Sequence, residues 1–310
     1  MVVSADTIES VELVDGSMRV ALLSYGAITQ GWWLGDTPLI LGYEAPADYL
    51  TDPFFMGAIV GRVANRISGA RFSMNGAEFL LDANEGANCL HSGAMGLARQ
   101  NWIAEKVSQQ EARFSLLSED GAGGFPGRVV FTVSVKLQAP RLTYTFFAQP
   151  DRPTPISLAQ HNYYTLGEDT ALHLKLKLAS DRCLAKRDDG IPTGELNKAS
   201  GNLDFGTFRR LGDAPELDHF YTFRSPGMDQ PIAELRAPSG LGMRVWSDQP
   251  GAQVYTGRGL STPFTKNGGM CIEPSGFPNA PNVASFPSMI FTPDQPYRQV
   301  LALEIDEGGA

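Results

Sequence analysis

Apolar residues recur at every second position along several stretches, the spacing that places them on one side of a β-strand. From Leu172 to Leu178 the residues Leu172, Leu174, Leu176 and Leu178 alternate with His173, Lys175 and Lys177. Between Arg128 and Leu137, Val129, Phe131, Val133, Val135 and Leu137 alternate with Val130, Thr132, Ser134 and Lys136. Leu142, Tyr144, Phe146 and Ala148 repeat the pattern after Pro140, so the two runs read as a hairpin turning at Gln138 to Arg141. Further β-like segments are Met18 to Ser24, Arg71 to Leu81, Trp102 to Val107, Arg113 to Ser118, Met243 to Trp246, Gln253 to Thr256 and Gln299 to Ile305. Sustained helical periodicity is missing; Met56 to Ile67 is the best candidate for a short helix, weakened by Gly57 and Gly61. Many strands and few short helices predict an all-β fold, a large antiparallel β-sandwich or a sandwich curling toward a barrel. With no repeat, charge run or Pro/Ser-rich linker, residues 1–310 read as one domain.

Composition narrows the function. Thirty-three glycines and 21 prolines suit a turn-rich β protein, and 43 % hydrophobic with 19 % charged residues is ordinary globular usage. No apolar run approaches a membrane span. A net charge of −9 repels phosphate backbones and anionic lipid, so neither nucleic acid nor membrane is an expected partner. Cys89, Cys183 and Cys271 are odd in number and widely spaced, which argues against a disulfide framework or zinc ribbon and for a reducing compartment. The acidic N-terminus does not read as a signal peptide, and the expected location is cytoplasmic. The sequence assigns no oligomeric state.

Common cofactor and metal signatures are absent. Gly121 to Gly127 has the wrong spacing for a phosphate loop and reads as a turn. His91, His161, His173 and His219 form no metal-binding pair, and no G-x-S-x-G elbow is present. What remains is a set of polar residues within apolar or turn-forming segments. His161, in SLAQHNYYTL, is either a satisfied buried histidine or a group that works on a ligand. Glu273 directly follows an apolar run, where a carboxylate must be paired or functional. Arg66 either donates to ligand oxygens or holds a carboxylate. His91 and Asp218 stand at turn positions, and Gln253 reads as a strand amide. His173 reads as a surface residue.

Taken in order, GRVANRI, NCLHSG, SEDGAGGFPG, QHNYYTL, DGIPTGEL, LDHFY, QVYTG and CIEPSGFPNAPN resemble the aldose 1-epimerase (galactose mutarotase) family over most of the chain. The resemblance implies a large antiparallel β-sandwich with a sugar site in an open cleft, no metal and no organic cofactor. It places a catalytic base at Glu273 and a catalytic acid at His161, with sugar contacts at Asn65, Arg66, His91, Asp218 and Gln253 and a pocket position at Tyr163. The implied partner is a small-molecule sugar. Departures are Ala94 after Gly93, Gln160 before the acid, Tyr164 after Tyr163 and Ser275-Gly276 after the base segment; none removes a catalytic group, but they bear on which sugar is preferred. Acid/base anomer exchange would require ionised Glu273 and charged His161, with Asp218 the candidate for holding that charge. Tyr255 and Phe277 are either sugar-facing or core aromatics. Alternatives are a hexose-6-phosphate epimerase, which calls for a cluster of Lys and Arg that the sequence does not display, and a non-catalytic carbohydrate-binding or sensing protein.

Overall fold

The computed structural model describes residues 4–308 apart from positions 215 and 225. Strands dominate it, and its helical segments are short 3-10 turns. A nine-stranded antiparallel sheet runs in the order 103–106, 111–118, 129–138, 141–150, 297–306, 242–247, 233–236, 175–178, 209–210. A five-stranded antiparallel sheet runs 192–198, 182–186, 218–222, 251–255, 271–275, and a four-stranded one runs 10–15, 18–23, 28–34, 37–38. The largest buried cluster draws on all three, with Leu13, Val20 and Trp32 from the four-stranded sheet, Phe114, Phe131 and Tyr144 from the nine-stranded, and Val254 and Ile272 from the five-stranded. The expected large antiparallel β architecture is therefore present.

The alternation read from the sequence sets the inward faces. In Val129–Gln138 the residues Val129, Phe131, Val133, Val135 and Leu137 are buried, and in Arg141–Pro150 so are Leu142, Tyr144, Phe146 and Ala148. Gln138 pairs with Arg141, closing the predicted hairpin on Ala139-Pro140. Three expectations need correction. Met56 to Ile67 is not a helix: it holds the short strands Ile59–Val60 and Arg66–Ile67, because Gly57 and Gly61 sit at positive φ and the chain must turn there. Arg71 to Leu81 is a hairpin, Arg71–Met74 against Ala77–Leu80, turned by Asn75-Gly76 at positive φ. The run beginning at Leu172 starts as a 3-10 turn, Ala171–His173, with Thr170 Oγ1 accepting from the Leu172 N–H, and becomes a strand only at Lys175–Leu178.

One buried cation organises the Gly-rich turn. Arg62, 2 % exposed, donates to the Ser118 hydroxyl and to the carbonyls of Ser118, Glu119, Pro126 and Gly127. Burial lowers its pKa to about 10, and carbonyl dipoles take the place of a paired carboxylate in its hydrogen bonding. Gly124, at φ +86°, is obligatory in this turn: a Cβ there would lie 1.9 Å from the Leu80 carbonyl oxygen. The segment 121–127 is thus structural, as its spacing indicated.

Replacing Arg62 by Leu strands several buried carbonyls, and each orphaned acceptor costs about 1–3 kcal/mol. Arg62→Leu is therefore expected to destabilise the protein by roughly 3 kcal/mol or more in urea unfolding, with the midpoint moving and the m-value unchanged.

Candidate active site

The period of two along three adjacent strands assembles one polar surface. Gln253 pairs with Glu273, Phe220 with Gln253, Asp218 with Tyr255 and Tyr255 with Cys271. Paired residues in an antiparallel ladder share a face, and so do residues two apart, so Asp218, Gln253, Tyr255, Cys271 and Glu273 project to the same side. Asp218, Gln253, Tyr255 and Glu273 line an open cleft of about 570 Å³, while Cys271 is buried on the same face of the sheet.

The remaining residues arrive from the opposite wall. His161 follows the short strand Ala159–Gln160, which pairs with Ile59–Val60; its N–H bonds to the Ala58 carbonyl and its carbonyl accepts from the Gly57 N–H at 3.0 Å. Gly57 is required here, since a Cβ would lie 2.2 Å from the Thr29 carbonyl oxygen. Asn65 and His91 are locked together: the Asn65 N–H donates to His91 Nδ1 at 3.1 Å and the His91 N–H to the Asn65 carbonyl at 3.0 Å. Asn65, His91 and Phe55 all hold positive φ, at 64°, 50° and 54°. Such backbone is costly outside glycine and concentrates at functional sites. The Phe55 ring packs against both His91 and His161, at centroid distances of 4.7 and 6.1 Å.

At the centre, His161 Nε2 lies 3.7 Å from Glu273 Oε2, and the two residues are only 5 % and 4 % exposed. Burial pushes Glu273 up to about 8, with Asp218 adding to the rise and Arg66 opposing it. Burial pushes His161 down to about 4. The expectation that Asp218 would keep His161 charged is therefore corrected: its field is felt at Glu273, while loss of water dominates at the imidazole. Between about pH 4 and pH 8 the pair as a whole carries one dissociable proton, which rests on Glu273.

All eight sequence-predicted residues line this cleft: Asn65, Arg66, His91, His161, Tyr163, Asp218, Gln253 and Glu273. Gln253 is buried and donates to Asp218 Oδ1 at 2.6 Å, which settles it as part of the polar floor rather than an exposed strand amide. Arg66 holds a carboxylate, donating through Nε and Nη2 to Glu85 at 2.6 and 2.7 Å, and leaves Nη1 unengaged by that partner. Tyr255 lines the cleft, whereas Phe277 packs against Phe220 and Phe286. His173 is a surface residue facing Glu168 at 3.3 Å.

The rim was not legible in the sequence. Arg258 and Lys266, carried on the loop after Tyr255, join Arg66 around the opening, with Lys186 behind Asp218. A basic group of residues therefore exists, contrary to expectation. Each member faces a carboxylate: Lys186 and Arg258 approach Asp218 at 3.6 and 3.5 Å, and Lys266 and Arg258 approach Glu216 at 3.2 and 3.6 Å. These cations come from separate strands and loops, so no linear run betrays them.

His91, His161 and Glu273 bring one ligand atom each within 4.8 Å of one another, a set that can be weighed for a metal. His91 Nδ1 accepts a backbone N–H, so its proton sits on Nε2. A metal-bound imidazole carries its proton on the nitrogen away from the metal, against an acceptor. The arrangement suits a hydroxyl-rich ligand better than a cation.

Fold and cleft together define a large antiparallel β-sandwich protein with a buried carboxylate–imidazole pair on the floor of an open polar hollow. The family model for aldose 1-epimerase matches residues 9–304, and the chain belongs to that family, whose members are isomerases. Galactose mutarotase of Sus scrofa is 29 % identical over 317 residues, covering 94 % of this chain and 92 % of that protein. Aldose 1-epimerase of Escherichia coli is 28 % identical over 89 % of this chain and 82 % of its own length. Among solved structures, a GalM/aldose epimerase homologue from C. elegans superposes with a TM-score of 0.93 at 22 % identity, covering 98 % of this chain and all of the other. Galactose 1-epimerase from Lactobacillus acidophilus gives 0.86 at 22 % identity over 98 % and 99 % of the two chains; both likenesses speak to the fold. The family resemblance read from eight ordered segments is borne out.

The raised pKa of Glu273 has a stability consequence. Unfolding returns it from about 8 to its ordinary value of 4.5, so its favourable contribution is complete below 4.5 and is lost as pH rises through 8. His161 acts oppositely, losing stability as pH falls from 6.5 to about 4, but it is common to both proteins in the comparison. Glu273→Gln is therefore expected to gain stability relative to the parent by on the order of 1 kcal/mol per pH unit between 4.5 and 8, read from denaturation midpoints across that range.

Proposed function

We propose that this protein interconverts the α and β anomers of free aldoses, galactose, glucose or a related hexose or pentose, within one domain, with Glu273 as base and His161 as acid. The observation that carries this reading is the buried carboxylate and imidazole, 3.7 Å apart, at the floor of a sugar-sized cleft. The names of the relatives point the same way.

Exchange of anomers needs a proton taken from the C1 hydroxyl and one delivered to the ring oxygen. Glu273 takes the first, the C1–ring oxygen bond breaks to form the C1 carbonyl, and His161 supplies the second. Rotation about C1–C2 and closure on the other face return both protons to their donors. The pair starts and ends with one proton between its members, so the cycle consumes nothing. A sugar hydroxyl donating to Glu273 stabilises the carboxylate and moves the shared proton to His161. Arg66 Nη1, the Nε2–H of His91, and the Asp218–Gln253 pair would hold ring hydroxyls so that C1 lies between acid and base.

The rim favours neutral sugars. Arg66, Lys186, Arg258 and Lys266 are each matched by Glu85, Asp218 or Glu216, so a phosphate dianion would have to break ion pairs and lie beside carboxylates.

In NMR exchange measurements, Glu273→Gln and His161→Asn are each expected to lower kcat by about 10² to 10⁴, and solvent-rate exchange by the unmodified protein would overturn the reading in favour of binding without turnover. Free glucose, galactose, xylose or arabinose should turn over at least about tenfold faster than the 6-phosphates. Because the one-proton pair is the active form, kcat/KM is expected to be bell-shaped, falling below about pH 4 as both groups become protonated and above about pH 8 as both lose protons.

A further inference from the structure

The hairpin of Arg182–Lys186 and Pro192–Lys198 carries none of the acid, base or sugar-contact residues, yet its turn reaches Arg66. The Arg187 N–H donates to the Ile191 carbonyl and the Gly190 N–H to the Arg187 carbonyl, both at 2.9 Å, and Gly190 holds φ at +80°. This is a three-residue hairpin loop closed by a left-handed glycine. Residues 187–189 are exposed, whereas Gly190 is half-buried against Arg66. A Cβ at Gly190 would lie 3.0 Å from Arg66 Cζ, Nε and Nη1 alike. Equal distances to three atoms of one planar group put that point above the plane, so Gly190 lies over one face of the guanidinium.

We propose that Gly190 is a positioning residue for Arg66: its backbone stops one face of the guanidinium while Glu85 takes one edge, and together they aim the remaining Nη1 N–H at a sugar hydroxyl. This rests on the reading of Arg66 as a sugar contact. Glu85 accepts from Nε and Nη2 at 2.6 and 2.7 Å, which fixes the group within its own plane. It does not stop the long side chain from tilting out of that plane; the turn does. A contact over the face also leaves the in-plane N–H directions free for a ligand.

The turn is itself braced. Arg187 donates to Asp189 through Nε and Nη2 at 3.0 and 2.7 Å, and its Nη2 reaches Ser68 Oγ at 3.4 Å, two residues beyond Arg66. At the base of the turn, Lys186 Nζ donates to the Asp218 carbonyl and lies 3.6 Å from its carboxylate. One hairpin therefore backs two cleft residues, Arg66 at its tip and Asp218 at its base. An arginine that is ordered before the sugar arrives has less rotamer entropy to lose on binding it. Glycine serves because its approach is set by the hairpin ladder, with no side chain between backbone and guanidinium.

The test is a double-mutant cycle on sugar binding, with Gly190→Asn, Arg66→Leu and the double variant titrated with galactose and with glucose by NMR. Asparagine accepts positive φ and so keeps the turn, but it brings the Cβ that pushes the guanidinium aside. Gly190→Asn is expected to raise the dissociation constant and KM about fivefold with kcat changed less than about twofold, and Arg66→Leu to raise them about tenfold or more. In the Arg66→Leu background, Gly190→Asn should have no further effect on binding. Equal effects of Gly190→Asn with and without Arg66 would overturn the proposal, as would unchanged binding in Arg66→Leu. In the ¹⁵N-arginine-labelled unmodified protein, with Arg66→Leu assigning the signal, the Arg66 Nε–H is expected to be protected from solvent exchange. Rapid exchange there would overturn the proposal whether or not any variant folds. Binding needs no turnover: solvent-rate anomer exchange together with a coupled cycle would sink the enzymatic reading and leave the positioning of Arg66 standing.

Discussion

A carboxylate and an imidazole held out of water within 3.7 Å of each other are the interaction on which this structure turns. Water would keep Glu273 ionised at neutral pH, and its removal pushes the carboxyl up to about 8 and the imidazole down to about 4. The fold bears that cost through its backbone. Glu273 sits on an interior-facing strand whose ladder to Gly251–Tyr255 is regular, and His161 is fixed by bonds to Ala58 and Gly57.

The supports extend outward from that pair. Positive φ at Phe55, Asn65 and His91 is tolerated because each residue is held by neighbours, Asn65 and His91 by their mutual hydrogen bonds and Phe55 by the two imidazole rings. Beyond them, Arg62 ties the loop 118–127 to the Gly61–Ile67 segment through carbonyl contacts. Each of the four rim cations faces at least one of three carboxylates, Glu85, Asp218 or Glu216, so an anion would have to compete with a carboxylate for every one of them.

Strand faces were the most legible part of the chain. Val129 to Leu137 and Leu142 to Ala148 alternate over many residues, and burial of one face left little freedom in their register. Shorter segments misled: Met56 to Ile67 has helix-compatible apolar spacing, but its two glycines turn the backbone where a helix would have to continue. Arg71 to Leu81 hid a hairpin in one apolar run because its Asn-Gly turn is only two residues long. The cleft residues were found through ordered motifs, since residue type alone could not separate a buried structural histidine from His161, or an ion-pairing arginine from Arg66. Arg66 in fact serves a carboxylate and lines the cleft at once.

By itself the sequence determined the β architecture, the inward faces of its long strands and the identity of the polar groups, because alternation and turn chemistry act between near neighbours. The tertiary structure decided the rest: which nitrogen of His161 meets Cys271 and which meets Glu273, that Asp218 acts on the carboxylate and not on the imidazole, and that Arg258 and Lys266 ring the cleft. Those outcomes depend on distances of a few ångströms between groups from different strands and loops. Electrostatic and hydrogen-bond energies change steeply over such distances, and spacing along the chain does not encode them.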